Sequence, residues 1–202
     1  MTHALIFLAS YLIGGISFAY LAGRIVLKRD IRELGSGNLG ASNVFRQVGP
    51  PWGIGVLLLD AAKGMAAVMI ARTFLPTAPD WVPLTAGILA ILGHSFTPYL
   101  GFRGGKGVAT SAGVFLGLAP AALGVAFLVF VITMIIARMI SLGSLMAALA
   151  LPVALFFLYK DSPIFFWASL FVAILVWYRH RSNIGRILKG EEPRFQLHRR
   201  ES

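Results

Sequence analysis

The stretch of this sequence best suited to chemistry on an anion is residues 102–110 (FRGGKGVAT), which lies between two long apolar runs. Its glycines let the backbone turn sharply, and successive unpaired N–H groups in such a turn form a concave anion site. A helix starting at Val108 would add the partial positive charge of its N-terminus. Arg103 and Lys106 add full positive charges, and Thr110 adds a hydroxyl. The stretch therefore predicts a phosphate-binding loop, with a flexible basic connector as the alternative.

A second polar segment, residues 35–46 (GSGNLGASNVFR), interleaves glycines with Ser and Asn. This composition predicts a tight turn that is rich in hydrogen-bond donors. We expect Ser42 or Asn43 to cap a short helix that leads to Arg46. The guanidinium of Arg46 could bind a phosphate through two parallel hydrogen bonds.

A third polar segment, residues 179–193 (RHRSNIGRILKGEEP), follows the last apolar run. If the preceding helix continues into it, then His180, Asn183 and Ile187 share one face. A positively charged anchor followed by an ordinary tail would explain the arginines. It would not explain why His and Asn stand three residues apart.

The composition indicates an integral membrane protein. Of the 202 residues, 57% are hydrophobic and 13% are charged, whereas a soluble domain carries about twice that share of charge. The absence of cysteine excludes disulfides and thiolate chemistry, and the four histidines lack carboxylate neighbours at metal-ligand spacing. We therefore expect no metal and no cofactor. The net charge of +10 is scattered among short loops, so it does not predict nucleic-acid binding.

The apolar runs predict an all-α, polytopic membrane protein with seven transmembrane helices, which forms a single domain over residues 1–202. A span needs about 20 apolar residues to cross a hydrocarbon core of about 30 Å. The uncharged run 108–137 would be about 45 Å long as one helix, and we expect it to break near Pro120 into two short helices. The predicted spans are residues 4–26, 52–75, 84–100, the two helices within 108–137, 141–159 and 164–178.

The positive charges predict the orientation, because Lys and Arg collect in cytoplasmic loops. With the N-terminus outside and the C-terminus in the cytoplasm, only three of the 18 basic residues (Lys63, Arg72 and Lys160) fall elsewhere. The other 15 lie on the inner side: Arg24, Lys28, Arg29, Arg32, Arg46, Arg103, Lys106, Arg138, Arg179, Arg181, Arg186, Lys189, Arg194, Arg199 and Arg200. All three polar segments then face the cytoplasm.

Two ionisable residues, Asp60 and Lys63, fall inside the second predicted span, on one helical face. Charges in a span are costly and usually face a polar interior or each other. We consider a structural pair and a contribution to the site equally supported.

The three polar segments, together with Gly93-His94-Ser95-Phe96, resemble the signature motifs of the bacterial acyl-phosphate-dependent glycerol-3-phosphate acyltransferases. The motifs match in order and spacing across the whole chain, and Asp60-Ala61-Ala62-Lys63-Gly64 is similar to a further family pattern. Leu39 and Ser42 depart from the residues usual in the first motif. The resemblance implies transfer of an acyl group from acyl phosphate to the 1-hydroxyl of glycerol 3-phosphate, giving lysophosphatidic acid and phosphate. We expect the protein to lie in the bacterial inner membrane as a monomer, and the bias of Lys and Arg places its site on the cytoplasmic face.

The resemblance and the chemistry of the segments together select the expected site residues. The expected catalytic residues are Ser36, Arg46, Lys106, His180 and Asn183. The expected substrate-binding residues are Gly35, Gly37, Asn38, Asn43, His94, Arg103, Gly104, Gly105, Gly107 and Thr110. Glu192 is expected to be a structural ion-pair partner. His180 could act as general base, but a phosphate of the substrate could take the proton instead.

A small transporter of a phosphorylated solute is the competing function, because intramembrane charges would suit it. Against it, inverted repeats are not evident, and the polar motifs gather at one face instead of at the midplane. A membrane scaffold would leave the Gly/Ser/Asn segments unexplained.

Overall fold

The computed structural model describes residues 1–195, so Arg199 and Arg200, counted above on the inner side, lie outside the described residues. The described elements are all helical, which confirms the all-α class. They form two compact units, Met1–Pro120 and the residues from Ala121 onward.

The first unit contains six α-helices: α1 (Thr2–Gly15), α2 (Phe18–Ala22), α3 (Ala41–Gln47), α4 (Pro50–Phe74), α5 (Trp81–Ser95) and α6 (Val108–Leu118). Short helical turns of other types cover Gly23–Leu27, Ile31–Glu33 and Pro98–Leu100. Helix α7 (Pro120–Ala137) begins at the last residue of the first unit, and the second unit contains the rest of it together with α8 (Ile140–Leu158), α9 (Pro163–Arg179) and α10 (Arg181–Leu188). The predicted break of the run 108–137 is confirmed: α6 ends just before Ala119, and Pro120, which has no N–H to donate, opens α7.

Among the described residues, four helical segments are long and apolar enough to cross a membrane: Thr2–Leu27, Pro50–Phe74, Pro120–Ala137 and Ile140–Leu158. The pair Pro163–Arg179 and Arg181–Leu188 makes a fifth if this bent pair is one span. These segments agree with the integral membrane class. The third predicted span ends early, because the helix stops at Ser95 and the chain turns at Phe96 instead of continuing to residue 100.

The first predicted span contains a break that its apolar sequence did not predict. Helix α1 ends at Gly15, and Ile16 and Ser17 adopt extended backbone angles before α2 begins. The break leaves two carbonyl groups without helical partners. Thr97 Oγ1 donates to Gly15 O (2.7 Å) and Lys63 Nζ donates to Ile16 O (2.6 Å), so α5 and α4 satisfy them.

Helices α1 and α5 pack with their backbones close together, which small residues at the contact allow. A Cβ atom added to Gly14 would overlap the backbone of Ala90. One added to Gly93 would overlap the carbonyl oxygen of Tyr11. This packing sets the end of α5, from which the glycine-rich stretch departs.

In the second unit, α8 packs against α9, and Trp177 Nε1 donates to Leu145 O (3.2 Å). The last span does not continue as one straight helix into residues 179–193, so the condition for His180, Asn183 and Ile187 to share a face is not met. Helices α9 and α10 meet at His180 with a bend of 60°. His180 therefore lies at the bend, and only Asn183 and Ile187 share a face of α10.

Candidate active site

Asn43 organises the turn of the first polar segment. Its side chain is 1% exposed, and Nδ2 donates to Ile31 O (3.3 Å) and Leu34 O (3.1 Å). Its Oδ1 accepts from the backbone N–H of Ser36 (3.1 Å). Both amide hydrogens of Asn43 are thus used within the loop, so the side chain fixes Ser36 at the exposed end of the turn.

The short helix predicted to lead to Arg46 is present as α3, but the predicted caps are wrong. The residue before the helix is Gly40, and Ser42 and Asn43 already belong to the first turn. Arg46 lies exposed in the last turn. Leu39 is buried among the apolar side chains of Ala19, Ala22, Ile31, Val44 and Val56 and so anchors the loop.

Gly35 and Gly37 adopt left-handed backbone angles (φ +56° and +66°), which glycine reaches without a steric penalty. Ser36 lies between these two glycines and is exposed, and Asn38 follows Gly37 and is half-buried. The turn therefore presents a hydroxyl and a side-chain amide on a backbone fixed by Asn43.

In the glycine-rich stretch, the amides of residues 102–105 donate within the protein. Phe102 N donates to Thr97 O (2.8 Å), Gly104 N to Ser95 O (3.2 Å) and Gly105 N to His94 O (3.0 Å). The expectation of unpaired N–H groups at these positions is therefore wrong. Helix α6 does start at Val108, as predicted, after Gly107 in a left-handed conformation (φ +83°). The N-terminus of this helix is a backbone element that can bind an anion.

The glycines at 104 and 105 are required by contact with α5 and the first segment. A Cβ atom added to Gly104 would overlap the carbonyl oxygen of His94. One added to Gly105 would overlap His94 Nε2 and lie 2.6 Å from Leu39 O. The structure thus brings the first two polar segments together around His94. Arg103 before these glycines is exposed, and Lys106 after them is half-buried.

Asp60, Lys63 and His94 form a buried cluster beside this junction. Lys63 Nζ lies 2.7 Å from Asp60 Oδ1 and 3.0 Å from His94 Nδ1. All three residues are less than 8% exposed. The face shared by Asp60 and Lys63 does hold an ion pair, and His94 belongs to that cluster.

Three buried hydroxyls near the start of α6, those of Ser95, Thr110 and Ser111, have no hydrogen-bond partner among the described residues. Thr110 was expected from the sequence, whereas Ser95 and Ser111 were not. A Cβ atom added to Gly107 would lie 3.3 Å from Ser95 Oγ and 4.0 Å from Ser111 Oγ. The sequence signal for Ser111 was its place in the first turn of the predicted helix.

The third segment lies in the second unit, where His180 and Asn183 are both buried. His180 Nδ1 is 2.8 Å from Val176 O. A carbonyl only accepts, so Nδ1 carries a hydrogen and Nε2 is the acceptor of the neutral ring.

Glu192 joins this segment into one network. Asn183 Nδ2 donates to Glu192 Oε1 (2.6 Å) and Arg186 Nε donates to Glu192 Oε2 (2.7 Å). Burial alone would raise the pKa of Glu192. The hydrogen bonds from its polar neighbours, Asn183 and Arg186 among them, outweigh burial and hold the pKa below its usual value. The carboxylate therefore fixes the Asn183 amide group.

Comparison with known proteins gives one consistent result. The family model described as glycerol-3-phosphate acyltransferase matches residues 4–190. The chain is 42% identical over 191 residues to the glycerol-3-phosphate acyltransferase of Halalkalibacterium halodurans, covering 93% of each chain. It is 42% identical over 190 residues to glycerol-3-phosphate acyltransferase 2 of Bacillus anthracis, covering 94% of this chain and 97% of the relative.

Two crystal structures of PlsY (YgiH), an integral membrane glycerol 3-phosphate acyltransferase, have the same fold. The glycerol 3-phosphate form matches with a TM-score of 0.89 and 35% identity, covering 97% of this chain and 96% of that one. The lysophosphatidic acid form matches with a TM-score of 0.86 and 34% identity over the same shares.

Proposed function

The chain belongs to the glycerol-3-phosphate acyltransferase family, and from that premise we propose that it moves a fatty acyl group from acyl phosphate to the 1-hydroxyl of sn-glycerol 3-phosphate. The products are lysophosphatidic acid and inorganic phosphate, and the reaction is the first acylation of phospholipid synthesis. The observation that carries the proposal is the family match over residues 4–190, which includes the first two polar segments and most of the third.

The chemistry of the first unit suits two phosphate-bearing reactants. Lys106 stands between the packed glycines and the N-terminus of α6, where positive charge favours the phosphate of glycerol 3-phosphate. Arg103 and Gly107 flank it, and Thr110 supplies a buried hydroxyl. We assign glycerol 3-phosphate to this place.

Acyl phosphate is assigned to the turn of the first segment. Ser36 and Asn38 present polar side chains there, and Arg46 supplies a guanidinium on the adjoining helix. Donors aimed at the carbonyl and phosphate would stabilise the negative charge that develops during acyl transfer. Phosphate is already a good leaving group, so no covalent enzyme intermediate is required.

His180 and Asn183 serve the same reaction by orienting a reactant or the developing oxyanion. The Nδ1–H of His180 is directed to Val176 O, so Nε2 is the nitrogen that would accept the proton of the 1-hydroxyl if His180 is the general base. The alternative acceptor of that proton is a phosphate oxygen of a substrate. Glu192 supports Asn183 and has no direct role in the chemistry.

The proposed membrane arrangement has seven crossings, with the N-terminus outside and the C-terminus in the cytoplasm of a bacterial inner membrane. One domain over residues 1–202 acts as a monomer. The bias of Lys and Arg toward one side supports the orientation. Helix α6, with 11 residues, is only about 16 Å long, so its crossing requires flanking extended chain or a thinned bilayer.

The topology can be tested directly because the chain has no native cysteine. Single cysteines at Lys160 and at Lys189 would be labelled with a membrane-impermeant maleimide in intact cells and in inverted vesicles. The proposal expects labelling of position 160 from outside and of position 189 from inside. Labelling of both positions from the same side would refute the orientation.

The activity is tested with purified protein, acyl phosphate and glycerol 3-phosphate, by measuring released phosphate and the lysophosphatidic acid formed. Acyl-CoA replaces acyl phosphate as the comparison donor. Phosphate release that requires glycerol 3-phosphate supports the proposal. Absence of product with acyl phosphate, or equal activity with acyl-CoA, would overturn the proposed donor.

A further inference from the structure

The buried cluster of Asp60, Lys63 and His94 is placed to act on the glycine-rich stretch without touching a reactant. Lys63 Nζ makes two hydrogen-bond contacts, with Ile16 O at 2.6 Å and His94 Nδ1 at 3.0 Å, and an ion pair with Asp60 Oδ1 at 2.7 Å. Its side chain is 3% exposed. The ammonium group is thus held by three groups inside the fold.

These contacts determine the state of the His94 ring. An ammonium group only donates hydrogen bonds, so His94 Nδ1 accepts and the ring hydrogen lies on Nε2. The orientation of the ring is fixed from the Nδ1 side by Lys63, and Lys63 is fixed by the break after α1. Asp60 balances the charge of Lys63, because an unpaired ammonium group at this depth would be strongly unfavourable.

The opposite edge of the ring meets the two polar segments of the first unit. Nε2 is packed against Gly105 so closely that a Cβ atom there would overlap it, and Leu39 O of the first segment borders the same space. The carbonyl of His94 accepts from Gly105 N (3.0 Å). Lys106 directly follows Gly105, so the position of the His94 ring limits where Lys106 can lie.

We propose that Lys63, neutralised by Asp60, holds the His94 ring as a support beneath Gly105, and that Lys63 and His94 are positioning residues for the phosphate-binding stretch around Lys106. This replaces direct substrate contact as the role of His94. It rests on the proposed function, because its readout is the affinity for glycerol 3-phosphate. The break in the first span contributes to this arrangement, because it exposes the carbonyl of Ile16 that accepts a hydrogen bond from Lys63.

The test uses full-length protein and steady-state kinetics with glycerol 3-phosphate varied at saturating acyl phosphate. Lys63→Met removes the donor to His94 but leaves Asp60 unpaired, so it is compared with the double variant Asp60→Asn/Lys63→Met, which restores charge balance. We expect the double variant to recover thermal stability while KM for glycerol 3-phosphate stays raised about tenfold or more, as for loss of a charged hydrogen bond. The kcat should change far less than KM.

A further variant keeps the proposal testable if Lys63→Met and the double variant fail to fold. His94→Asn keeps an acceptor near the position of Nδ1 but removes the ring from beneath Gly105, so it should fold and yet raise KM for glycerol 3-phosphate. Arg72→Met is the matched control, because Arg72 also lies on α4 and donates to a carbonyl, Gly117 O (2.8 Å), at the far end of the helix. It should lower thermal stability and leave KM unchanged.

The outcomes separate this proposal from the proposed function. Wild-type protein without glycerol 3-phosphate-dependent phosphate release would refute the function itself. Active wild type together with wild-type KM in a stable double variant, or in His94→Asn, would overturn the positioning role. A fall in kcat with unchanged KM would also overturn it, because that result would place His94 or Lys63 in the chemical step.

Discussion

Replacing Gly105 by alanine tests the packing of the glycine-rich stretch with a single methyl group. The new Cβ atom would overlap His94 Nε2 and lie 2.6 Å from Leu39 O. Ordinary contacts of a methyl group lie beyond about 3.4 Å, so relief needs a displacement on the order of 1 Å. Leu39 O is a backbone atom of an anchored loop, and the His94 ring is held by Lys63, so the stretch itself must move.

A misplacement of about 1 Å at a reacting group can reduce activity on the order of a hundredfold. We therefore expect Gly105→Ala to lower kcat/KM for glycerol 3-phosphate by about that factor. The assay is phosphate release from acyl phosphate at varied glycerol 3-phosphate, with thermal unfolding in detergent measured in parallel. The variant should remain folded at the assay temperature, so the fall in kcat/KM should be much larger than the fraction of unfolded protein can explain.

The chain offers a matched control at Gly101. This residue has a left-handed backbone angle (φ +65°), and an added Cβ atom would meet nothing within 4 Å. Gly101→Ala therefore introduces backbone strain of about 1–2 kcal/mol without a clash. It should reduce stability slightly and preserve kcat/KM. Wild-type kinetics in Gly105→Ala, or an equal loss in Gly101→Ala, would refute the argument from packing.

Lys106→Met should raise KM for glycerol 3-phosphate by about tenfold or more, because it removes a charged hydrogen-bond donor, and an unchanged KM would contradict the placement of that substrate. His180→Gln should lower kcat; if it keeps activity and an unchanged pH–rate profile, His180 is not the general base. The pKa of Glu192 is lower in the folded protein than in the unfolded chain, where it is about 4.3. Its ionised carboxylate therefore stabilises the fold above that pH, and this contribution is lost as the pH falls through the pKa of the folded state. The difference in unfolding temperature between wild type and Glu192→Gln should therefore shrink on acidification below about pH 4, and a constant difference would count against the network.

Several helices could be predicted because their causes are local. Long apolar runs with a proline at the first turn predict α4 and α9 within a few residues, and Pro120 predicts the start of α7. The break at Ile16 and Ser17 could not be predicted in this way. It is stabilised by side chains from distant parts of the chain, Thr97 and Lys63, and no local residue marks it.

The candidate site shows the same division between local and distant causes. Residue types identified the polar segments, since Gly, Ser, Asn and basic side chains suit anions. They did not show which donors are used within the fold, because a glycine that admits a ligand and a glycine that admits another backbone look alike in sequence. Gly104 and Gly105 are of the second kind, and their partners on α5 come from about ten residues earlier in the chain.

The contacts of Lys63 within the fold also help to choose between an enzyme and a transporter. A charge that guides a solute through a membrane must exchange partners as the solute passes, and it must be reached from a water-filled path. Lys63 instead makes two hydrogen bonds and an ion pair within the fold, and its side chain is nearly inaccessible. Its partners connect the broken first span to the loop before Lys106. An intramembrane charge arranged in this way stabilises the position of a surface site, which is what an acyltransferase with water-soluble and lipid-borne reactants requires.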